Sequence, residues 1–485
     1  MILIKRDANK TRKMFEEIFN YPNNNDVVIR DFLLCGTKGF VIYIDGMSGG
    51  DKISEFILKP LMLLDEMPSD IANIIQVSSV TKSDDIELAA ASIVSGDCIV
   101  FIDGKSSILI CETKEFEKRG IDKPQVENSV IGTQEAFTEN FRTNTGLLRR
   151  IIRNTNFTTE TVNVGKIGNL SCGIVYLKNI ANPALIEEVK RRLRGIDTDF
   201  AQGGGMIAQF IGDHTSSLFQ TVTETERPDN TAAFLMQGRV AIIVDGSSRV
   251  IIAPVTLSNM LKTSEENALH PPLASVVRAI RLLAVFAALL MPALYIAITT
   301  YHPAMIPSGL ALSLASARTQ IPYPAVMELL LMEIAFEMIR EAGERIPGLL
   351  GSTIGIVGGL ILGEAAVSAG LVSQACVVVI AFTALGTFAI PQYQLSFTAR
   401  LLRIGFIILG GGFGLPGVCC GFVLLCVYLN SLTSFGADYV KPVFSCDAPM
   451  FPKRPVWKFE QRPTELNTKR VEYQPEISMT WKKGD

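Results

Sequence analysis

Acidic side chains inside apolar segments are the residues of this chain whose types and spacing could do chemistry. Glu364 follows the run TIGIVGGLILG and is the only charged residue between Ile346 and Ala399. A carboxylate at the centre of a bilayer costs about 3 kcal/mol or more, so such acids are rare and tend to mark ion pathways or buried ion pairs. We therefore expect Glu364 either to serve a function or to be neutralised by a partner.

Glycines surround this acid at helical spacing. Three consecutive Gly-x-x-x-Gly steps place four glycines along one stripe, at Gly351, Gly355, Gly359 and Gly363. Such a stripe lets a second helix approach the backbone closely. Glu364 lies about 100° further around the helix. The residues on its side of the helix are Val357, Leu360, Ile361 and Ser368.

Two interpretations of Glu364 remain open from the sequence. In the first, it is protonated, or paired inside the bundle with an arginine such as Arg318 or Arg400. In the second, the glycine stripe packs subunits together and Glu364 faces a water-filled path, where a ring of carboxylates would favour cations. The gate would then be an apolar ring near Val357 or Ile361.

A second group of acids precedes this segment, in YPAVMELLLMEIAFEMIREAGERIP. Its members are spaced five, four and four residues apart, at Glu328, Glu333, Glu337 and Glu341. The last three share one helix face, opposite a face of Met, Leu, Ile and Phe. This pattern predicts an amphipathic helix, either at the membrane interface or lining a wet cavity. Arg340 and Arg345 are placed to form ion pairs within the helix.

Enzymatic chemistry has little support in the motifs. GMSGG resembles a nucleophile elbow at Ser48, but only His214 among the three histidines could complete a triad. No phosphate-binding loop, dinucleotide fingerprint, zinc motif or Cys-x-x-Cys occurs. We expect a non-enzyme without metal or cofactor, whose nine cysteines are reduced. The net charge of -3 gives no reason to propose nucleic acid as a partner.

The apolar segments predict a membrane domain over residues 271–437. Each of three windows without acids or bases, apart from Glu364, can hold at least one helix of about 20 residues. Spans are expected at 282–298, 353–373, 376–391 and 404–428. An even count leaves a polar, extended C-terminal tail, 438–485, on the side of the N-terminal region. With four spans, the predicted loop that contains Arg400 and Arg403 has an orientation that conflicts with the positive-inside rule. A membrane domain of five spans is therefore the alternative.

The charged first half contains a duplication. GFVIYIDG, DCIVFIDG and RVAIIVDG each end in Asp-Gly, a dipeptide typical of type I′ hairpin turns, and their surroundings repeat as well. This predicts two similar α/β subdomains, residues 27–126 and 160–270, after an N-terminal tail, residues 1–26. A linker with one helix is predicted over residues 127–159. It ends in the basic cluster Arg149, Arg150 and Arg153, which is either exposed to solvent or part of an interaction surface. No signal peptide is apparent, so this half is expected in the cytoplasm.

Several long motifs resemble the A subunit of the GerA-type spore germinant receptors. They include ILKPLM, ENSVIGTQEAFTENFRTNTGLLRR, TERPDNTAAFLMQGRVAIIVDG, YHPAMIP and the two segments with the acids described above. The resemblance runs in order from about residue 27 to 440. The chain departs from the family pattern at Gly132, Thr133 and Gln134, where a Gly-Pro-basic sequence is common, and at Glu364, where glutamine is common.

The resemblance implies the fold and the role of the chain. The fold would be an α/β soluble N-terminal region followed by an α-helical membrane bundle. The chain would lie in the spore inner membrane, with a permease-like B subunit and a lipoprotein C subunit, and would form a homo-oligomer that acts as a nutrient-gated cation channel. The alternative is an accessory subunit that stabilises a channel formed elsewhere. A solute transporter would have an inverted repeat between its membrane halves, and none is visible.

Overall fold

The computed structural model of the chain describes residues 4, 6–68, 70–115, 124, 127, 132–319, 321–345, 349–440 and 452–474. Two antiparallel sheets of five strands form the centre of its first half. The strands of the first sheet, which defines subdomain 1, are β1 (Val27–Leu34), β2 (Thr37–Ile44), β3 (Val80–Ser83), β4 (Cys98–Ile102) and β5 (Ile108–Cys111). Those of the second, in subdomain 2, are β6 (Phe157–Val164), β7 (Leu170–Leu177), β8 (Thr223–Thr225), β9 (Val240–Val244) and β10 (Val250–Ala253).

The two sheets have the same strand order, β1-β2-β4-β5-β3 and β6-β7-β9-β10-β8. All residues of the central strands β4 and β9 are buried, because helices cover both faces of each sheet. This explains why these strands have continuous apolar runs rather than alternating ones. The predicted duplication is therefore confirmed.

The turns at the three Asp-Gly dipeptides differ from the predicted type I′ geometry. In each, the amide that follows the glycine donates to the carbonyl three residues earlier, as in Lys105 N to Ile102 O at 3.2 Å. Only the glycines, Gly46, Gly104 and Gly246, have a positive φ, between 75° and 84°. This is the pattern of a type II turn, in which the aspartate keeps a negative φ.

Helices cover both faces of each of the two sheets. In and beside subdomain 1 they are α1 (Ala8–Phe19), α2 (Gly50–Lys52), α3 (Lys59–Met62) and α4 (Ile86–Val94), with a π-helix at Ile53–Leu58. In and beside subdomain 2 they are α5 (Phe141–Ile151), α6 (Pro183–Arg194), α7 (Gly204–Ile211), α8 (Pro228–Met236) and α9 (Leu257–Met260). Helix α1 lies within the predicted tail, 1–26, yet it buries Phe15 and Phe19 against the first sheet.

Six further helices follow in the described part of the chain. They are α10 (Pro271–Ile296, continued by a π-helix at Ala297–Tyr301), α11 (Ser308–Arg318), α12 (Ala325–Arg345), α13 (Leu349–Ser368), α14 (Gln374–Phe388) and α15 (Tyr393–Ser431). Among the described residues, Pro271–Tyr301 and Tyr393–Ser431 are long and apolar enough to cross a membrane, with mean hydropathies of 2.3 and 2.0. The shorter α14 is also apolar.

Helix α15 folds back on itself. Gly414 has φ 64° and ψ -148°, which interrupts the helix, and Pro416 follows two residues later. A Cβ at Gly421 would lie 2.7 Å from Leu409 and 3.1 Å from Phe406, residues that would be far away in a straight helix. The predicted span 404–428 lies within α15, and glycine and proline allow the chain to reverse inside it. The two halves measure about 30 Å and about 25 Å at a rise of about 1.5 Å per residue.

The C-terminal segment returns to subdomain 2. After α15, the short strands β11 (Thr433–Ser434) and β12 (Ala437–Asp438) form a hairpin, and Tyr439 is fully buried. Further along, Lys469 N donates to Ile180 O at 2.9 Å, and Arg462 Nε donates to Met236 O at 2.8 Å. The described part of the predicted extended tail therefore packs on subdomain 2 instead of leaving the protein.

Candidate functional site

Helix α12 places its acids against arginines of the first half of α15. Arg403 lies 2.7 Å from Glu333, and Arg400 donates to Glu337. Both arginines are buried, and Glu333 is only 6% exposed. The acids at positions four residues apart therefore meet bases that are also one helical turn apart, which holds α12 and α15 antiparallel.

Glu328 occupies the far end of this row. It is fully buried and accepts a hydrogen bond from the Ser373 amide at 2.5 Å and another from the Ser373 hydroxyl, at the start of α14. Arg318 of α11 lies 3.9 Å from its second oxygen. The carboxylate therefore ties three helices together, and it does so by charge-assisted hydrogen bonds rather than by exposure to water.

These contacts change two sequence predictions. Arg400 and Arg403 lie within helix α15 rather than in a loop, so they are not loop charges for the positive-inside rule. The acids of α12 lie in two different environments, since Glu328 and Glu333 are buried while Glu341 is exposed. The predicted helix is present as α12, but its acidic face points partly into the bundle.

Several polar atoms beside this row have no hydrogen-bond partner within the described residues. They are Glu328 Oε2, Glu333 Oε1, Tyr295 OH, Arg400 Nε and Arg403 Nε. Leaving such groups dry costs about 1–3 kcal/mol each. Water molecules inside the bundle would satisfy them, as ordered waters do in most proteins. The row is thus the most polar part of the helical region.

Helix α13 contains the predicted gate and pore residues. Its exposed side chains include Glu364, Ser368 and Ile361, the last at 60% exposure. The side chains of Val357 and Leu360 lie outside the described residues. Arg318 and Arg400, the arginines proposed as partners of Glu364, contact Glu328 and Glu337 instead. Within the described residues Glu364 has no ion pair.

The glycine stripe of α13 is only partly in contact with the rest of the chain. A Cβ at Gly359 would meet no atom of the described part of the chain within 4 Å, and one at Gly363 would lie 3.8 Å from Val377. The surroundings of Gly351 and Gly355 lie outside the described residues. Close backbone contacts within the chain occur elsewhere, at Gly386 and Gly410, where a Cβ would lie 2.7 Å and 2.8 Å from carbonyl oxygens of α10.

Subdomain 2 touches both ends of the α15 hairpin through one loop, residues 212–222. The Thr398 hydroxyl donates to Leu218 O at 2.5 Å, and the Tyr428 hydroxyl donates to Ser217 Oγ at 2.7 Å. Asp213 accepts from the Phe435 amide at 2.5 Å and pairs with Arg192 at 2.7 Å. No sequence motif predicts this junction, because its partners are 180 to 222 residues apart.

The predicted basic cluster of the linker is split by the fold. Arg149 is fully buried and donates two hydrogen bonds to Asp26, at 2.5 and 2.7 Å, and one to the Phe157 carbonyl at 3.2 Å. It therefore joins subdomain 1 to subdomain 2. Arg150 pairs with Glu135 nearer the surface. Burial and tertiary pairing thus replace the predicted solvated or partner-binding role of Arg149.

Ser48 and His214 are not brought together. The Ser48 hydroxyl is buried and donates to Gly96 O at 2.9 Å in subdomain 1. His214 lies in subdomain 2, 3.5 Å from the Thr433 hydroxyl. Ser48 therefore fixes the loop after β2 instead of facing a base.

Known proteins resemble the chain over nearly its whole length. The model of the Bacillus/Clostridium GerA spore germination protein family matches residues 13–465. The chain belongs to the GerA family. It is 36% identical over 460 residues to spore germination protein KA of Bacillus subtilis, covering 92% of this chain and 84% of that protein. It is 35% identical over 449 residues to the B. subtilis membrane protein YfkQ, covering 90% and 88% respectively.

A solved structure also matches the soluble half. It is the N-terminal domain of the A subunit of the Bacillus megaterium spore germinant receptor GerK3, 27% identical to this GerA-family chain. The match has a TM-score of 0.41 and covers 52% of this chain and 96% of that one.

Proposed function

We propose that this chain is the A subunit of a nutrient germinant receptor in the spore inner membrane and that it oligomerises into a nutrient-gated cation channel. Membership of the GerA family and the names of its relatives support the role in germination. The exposed face of α13 supports the channel. It presents apolar Ile361 beside the carboxylate of Glu364, and such a face is stable in a membrane only if a neighbouring subunit or a water-filled path covers it.

The same proposal includes a membrane topology. Both the start of α10 and the end of α15 lie at subdomain 2, and α15 reverses at Gly414. An even number of transits would therefore keep both termini in the cytoplasm, where the soluble region would couple subunits. A permease-like B subunit would bind the nutrient, and a lipoprotein C subunit would complete the receptor.

Potassium release from spores of the native organism tests the channel. We expect deletion of the chain to abolish release after the matching nutrient, and Glu364→Gln to alter its rate, because one carboxylate per subunit is removed from the path. Val357→Ala is expected to leak ions without nutrient, since it widens an apolar gate. Normal release in Glu364→Gln and unchanged dormancy in Val357→Ala would argue against these residues as pore and gate.

Replacement of glycines tests subunit packing through α13. Because a Cβ at Gly359 meets no atom of the described residues within 4 Å, Gly359→Leu is expected to leave folding intact and to reduce crosslinked oligomers in membranes. The matched variant Gly386→Ala places its Cβ against the backbone of α10, so it is expected to cost about 1–3 kcal/mol and to lower the amount of folded chain. Normal oligomers in Gly359→Leu would exclude this face from the interface.

An accessory subunit is the alternative, in which the chain stabilises a pore formed by another protein. Rows of buried ion pairs, such as Glu333 with Arg403, are equally suited to a rigid scaffold. Purified chain reconstituted in vesicles distinguishes the two proposals. Rings that conduct no potassium would favour the accessory role.

A further inference from the structure

The helices after subdomain 2 pack on one another in two different ways. Helix α10 packs extensively on α14 and α15, whereas α12 packs mainly on α13. The contacts of α10 bring backbones together, since a Cβ at Gly386 or Gly410 would lie 2.7 Å or 2.8 Å from a carbonyl oxygen of α10. Such close contacts leave little freedom to tilt. Helices α10, α14 and α15 therefore form a rigid frame, which contacts subdomain 2 where Thr398 of α15 donates to Leu218 O at 2.5 Å.

The far end of α12, which lies away from subdomain 2, is held on this frame by apolar packing and buried hydrogen bonds. A Cβ at Gly411, next to the reversal of α15, would lie 3.4 Å from Val326 Cβ of α12. Glu328 is fully buried and accepts from the amide and the hydroxyl of Ser373. The buried apolar side chains of α12 belong to a core that includes residues of α10, α14 and α15. This end of α12 is therefore firmly attached.

The near end of α12, which lies toward subdomain 2, is held by charged side chains instead. Arg400 donates to Glu337, and the guanidinium carbon of Arg340 lies 5.1 Å from the ring centroid of Phe388. The Glu337 side chain is 44% exposed, compared with 0% for Glu328 at the far end. Exposed charged contacts stabilise a structure less than buried packing does, because water competes for them. The near end is therefore the weaker attachment of α12 to the frame.

Helix α13 follows the same arrangement. It runs back from the near end to the far end, where residues 369–373 join it to α14. A Cβ at Gly358 would lie 3.7 Å from Ile339, so α13 packs along α12. The exposed residues of α13 include Ile361 and Glu364. Helices α12 and α13 thus form a hairpin whose firm attachments lie at its far end.

We propose that the hairpin of α12 and α13 is hinged at its far end and that two ion pairs between α12 and α15 form a latch at its near end. The latch consists of Glu333 with Arg403, at 2.7 Å, and Glu337 with Arg400. Opening the latch tilts α13 and moves its exposed residues relative to the frame. The consequence for ion flow rests on the channel function proposed above, whereas the hinge itself does not.

Subdomain 2 is placed to act on the latch. Its loop 212–222 contacts Thr398, which lies within five residues of both Arg400 and Arg403 on α15. A displacement of this loop therefore moves the bases of the latch relative to the acids of α12. This gives the soluble region a direct mechanical route to α13, because α12 and α13 move together.

Distances between pairs of spin labels test the hinge without any measurement of conduction. The purified full-length chain, with its native cysteines replaced by serine, is reconstituted in lipid nanodiscs with an excess of unlabelled chain. The near-end labels are at Met338→Cys and Leu401→Cys, and the far-end labels are at Met327→Cys and Phe413→Cys, four positions with exposed side chains. A tilt of roughly 10° moves Met338, about 18 Å along α12 from Val326, by about 3 Å.

Matched variants of two acids on α12 distinguish the latch from the hinge. Glu337→Gln is expected to lengthen the near-end distance by about 3 Å or more, because the buried guanidinium of Arg400 then reaches water when the near end moves away. The far-end distance should stay as in the wild type. Glu328→Gln keeps an oxygen that accepts from Ser373, so it should change neither distance.

Arg400→Gln provides a second variant of the same ion pair. It should lengthen the near-end distance as Glu337→Gln does, and the double variant should add nothing to either change, because all three lack the same interaction. An unchanged near-end distance in both single variants would overturn the latch. Equal changes at the two ends would overturn the hinge, since α12 would then separate from α15 as a whole.

Potassium release from spores tests the link between the latch and ion flow. We expect Glu337→Gln to release potassium at a nutrient concentration several-fold lower than the wild type requires, and Glu328→Gln to respond as the wild type does. A normal nutrient dependence in Glu337→Gln, together with a longer near-end distance, would overturn the role of the latch in gating. Unchanged release after deletion of the chain would overturn the channel instead, and the label distances would still decide the hinge.

Discussion

Subdomain 1 and subdomain 2 share a strand order, yet they bury opposite charges at the same position. Gly96 and Gly238, with φ of 99° and 95°, each precede a central strand, and the next residue is Asp97 in one and Arg239 in the other. Asp97 pairs with Lys114 at 3.3 Å within its own subdomain. Arg239 donates to Pro254 O and to Asn259 Oδ1, in the segment that leads to α10.

The two sheets also differ in the elements that pack against them. Both faces of the first sheet pack on helices of the soluble region. One face of the second sheet shares its core with residues of α10 and α15, among them Ala288 and Leu395. The first copy of the duplicated unit therefore packs within the N-terminal region, whereas the second copy anchors the helical bundle, and the buried charge follows that division.

The largest effect on stability is expected at the contact between the two subdomains. Arg149→Ala leaves the fully buried Asp26 without its partner, which costs about 3–5 kcal/mol for a pair of this kind. We expect a strongly lowered unfolding midpoint for the purified full-length chain.

Lys166→Ala is the control for this contact, since Lys166 and Asp197 are 67% and 75% exposed. Removing that pair should cost less than about 1 kcal/mol. The double variant Arg149→Met with Asp26→Leu should recover much of the loss, because no uncompensated charge remains. Similar midpoints for Arg149→Ala and Lys166→Ala would show that the two subdomains do not depend on this pair.

An intermediate effect is expected where subdomain 2 meets the segment before α10. Arg239→Met removes the donors to Pro254 and Asn259 without leaving a buried charge, at a cost of about 1.5–3 kcal/mol. The measurement is hydrogen exchange over residues 254–262, which should become faster. Arg194→Met, at an exposed arginine of α6, should change stability by about 0.5 kcal/mol or less. Unchanged exchange in Arg239→Met would mean that the C-terminal segment alone holds this region.

The soluble region was largely predictable from the sequence because its signals are local. Repeated apolar runs ending in Asp-Gly identify both sheets, since a strand and its turn lie within about ten residues. The turn type was wrong because type I′ and type II turns both accept Asp-Gly, and only the backbone dihedrals distinguish them.

The helical bundle was less predictable because the contacts that determine its packing join residues far apart in the sequence. Arg400 and Glu337 are 63 residues apart, so a single sequence shows two unpaired charges where the structure has an ion pair. Gly414 and Pro416 are visible in the sequence, but glycine and proline are common in membrane helices, and the reversal depends on packing between the two halves. The position of Glu364 on α13 agrees with the predicted helix, and its role stays a prediction.

The smallest effect is expected at Asp97, the counterpart of Arg239 in subdomain 1. Burial raises the pKa of Asp97, and Lys114 opposes this only in part. The folded chain therefore binds more protons than the unfolded chain between pH 3.8 and the raised pKa, so stability falls as the pH rises through that range. Asp97→Asn cannot ionise, and we expect it to stabilise the chain at pH 7 by about 1 kcal/mol or less.

The pH dependence separates this explanation from a general effect of charge. The gain of Asp97→Asn in unfolding midpoint should shrink as the pH is lowered through 3.8, below which the wild-type carboxyl is protonated in both states. Asp199→Asn, at an exposed acid of subdomain 2, removes the same charge without burial and should show no such trend. A lower midpoint for Asp97→Asn at pH 7 would mean that the ion pair with Lys114 outweighs the cost of burial, and that both subdomains use their buried charge to hold structure together.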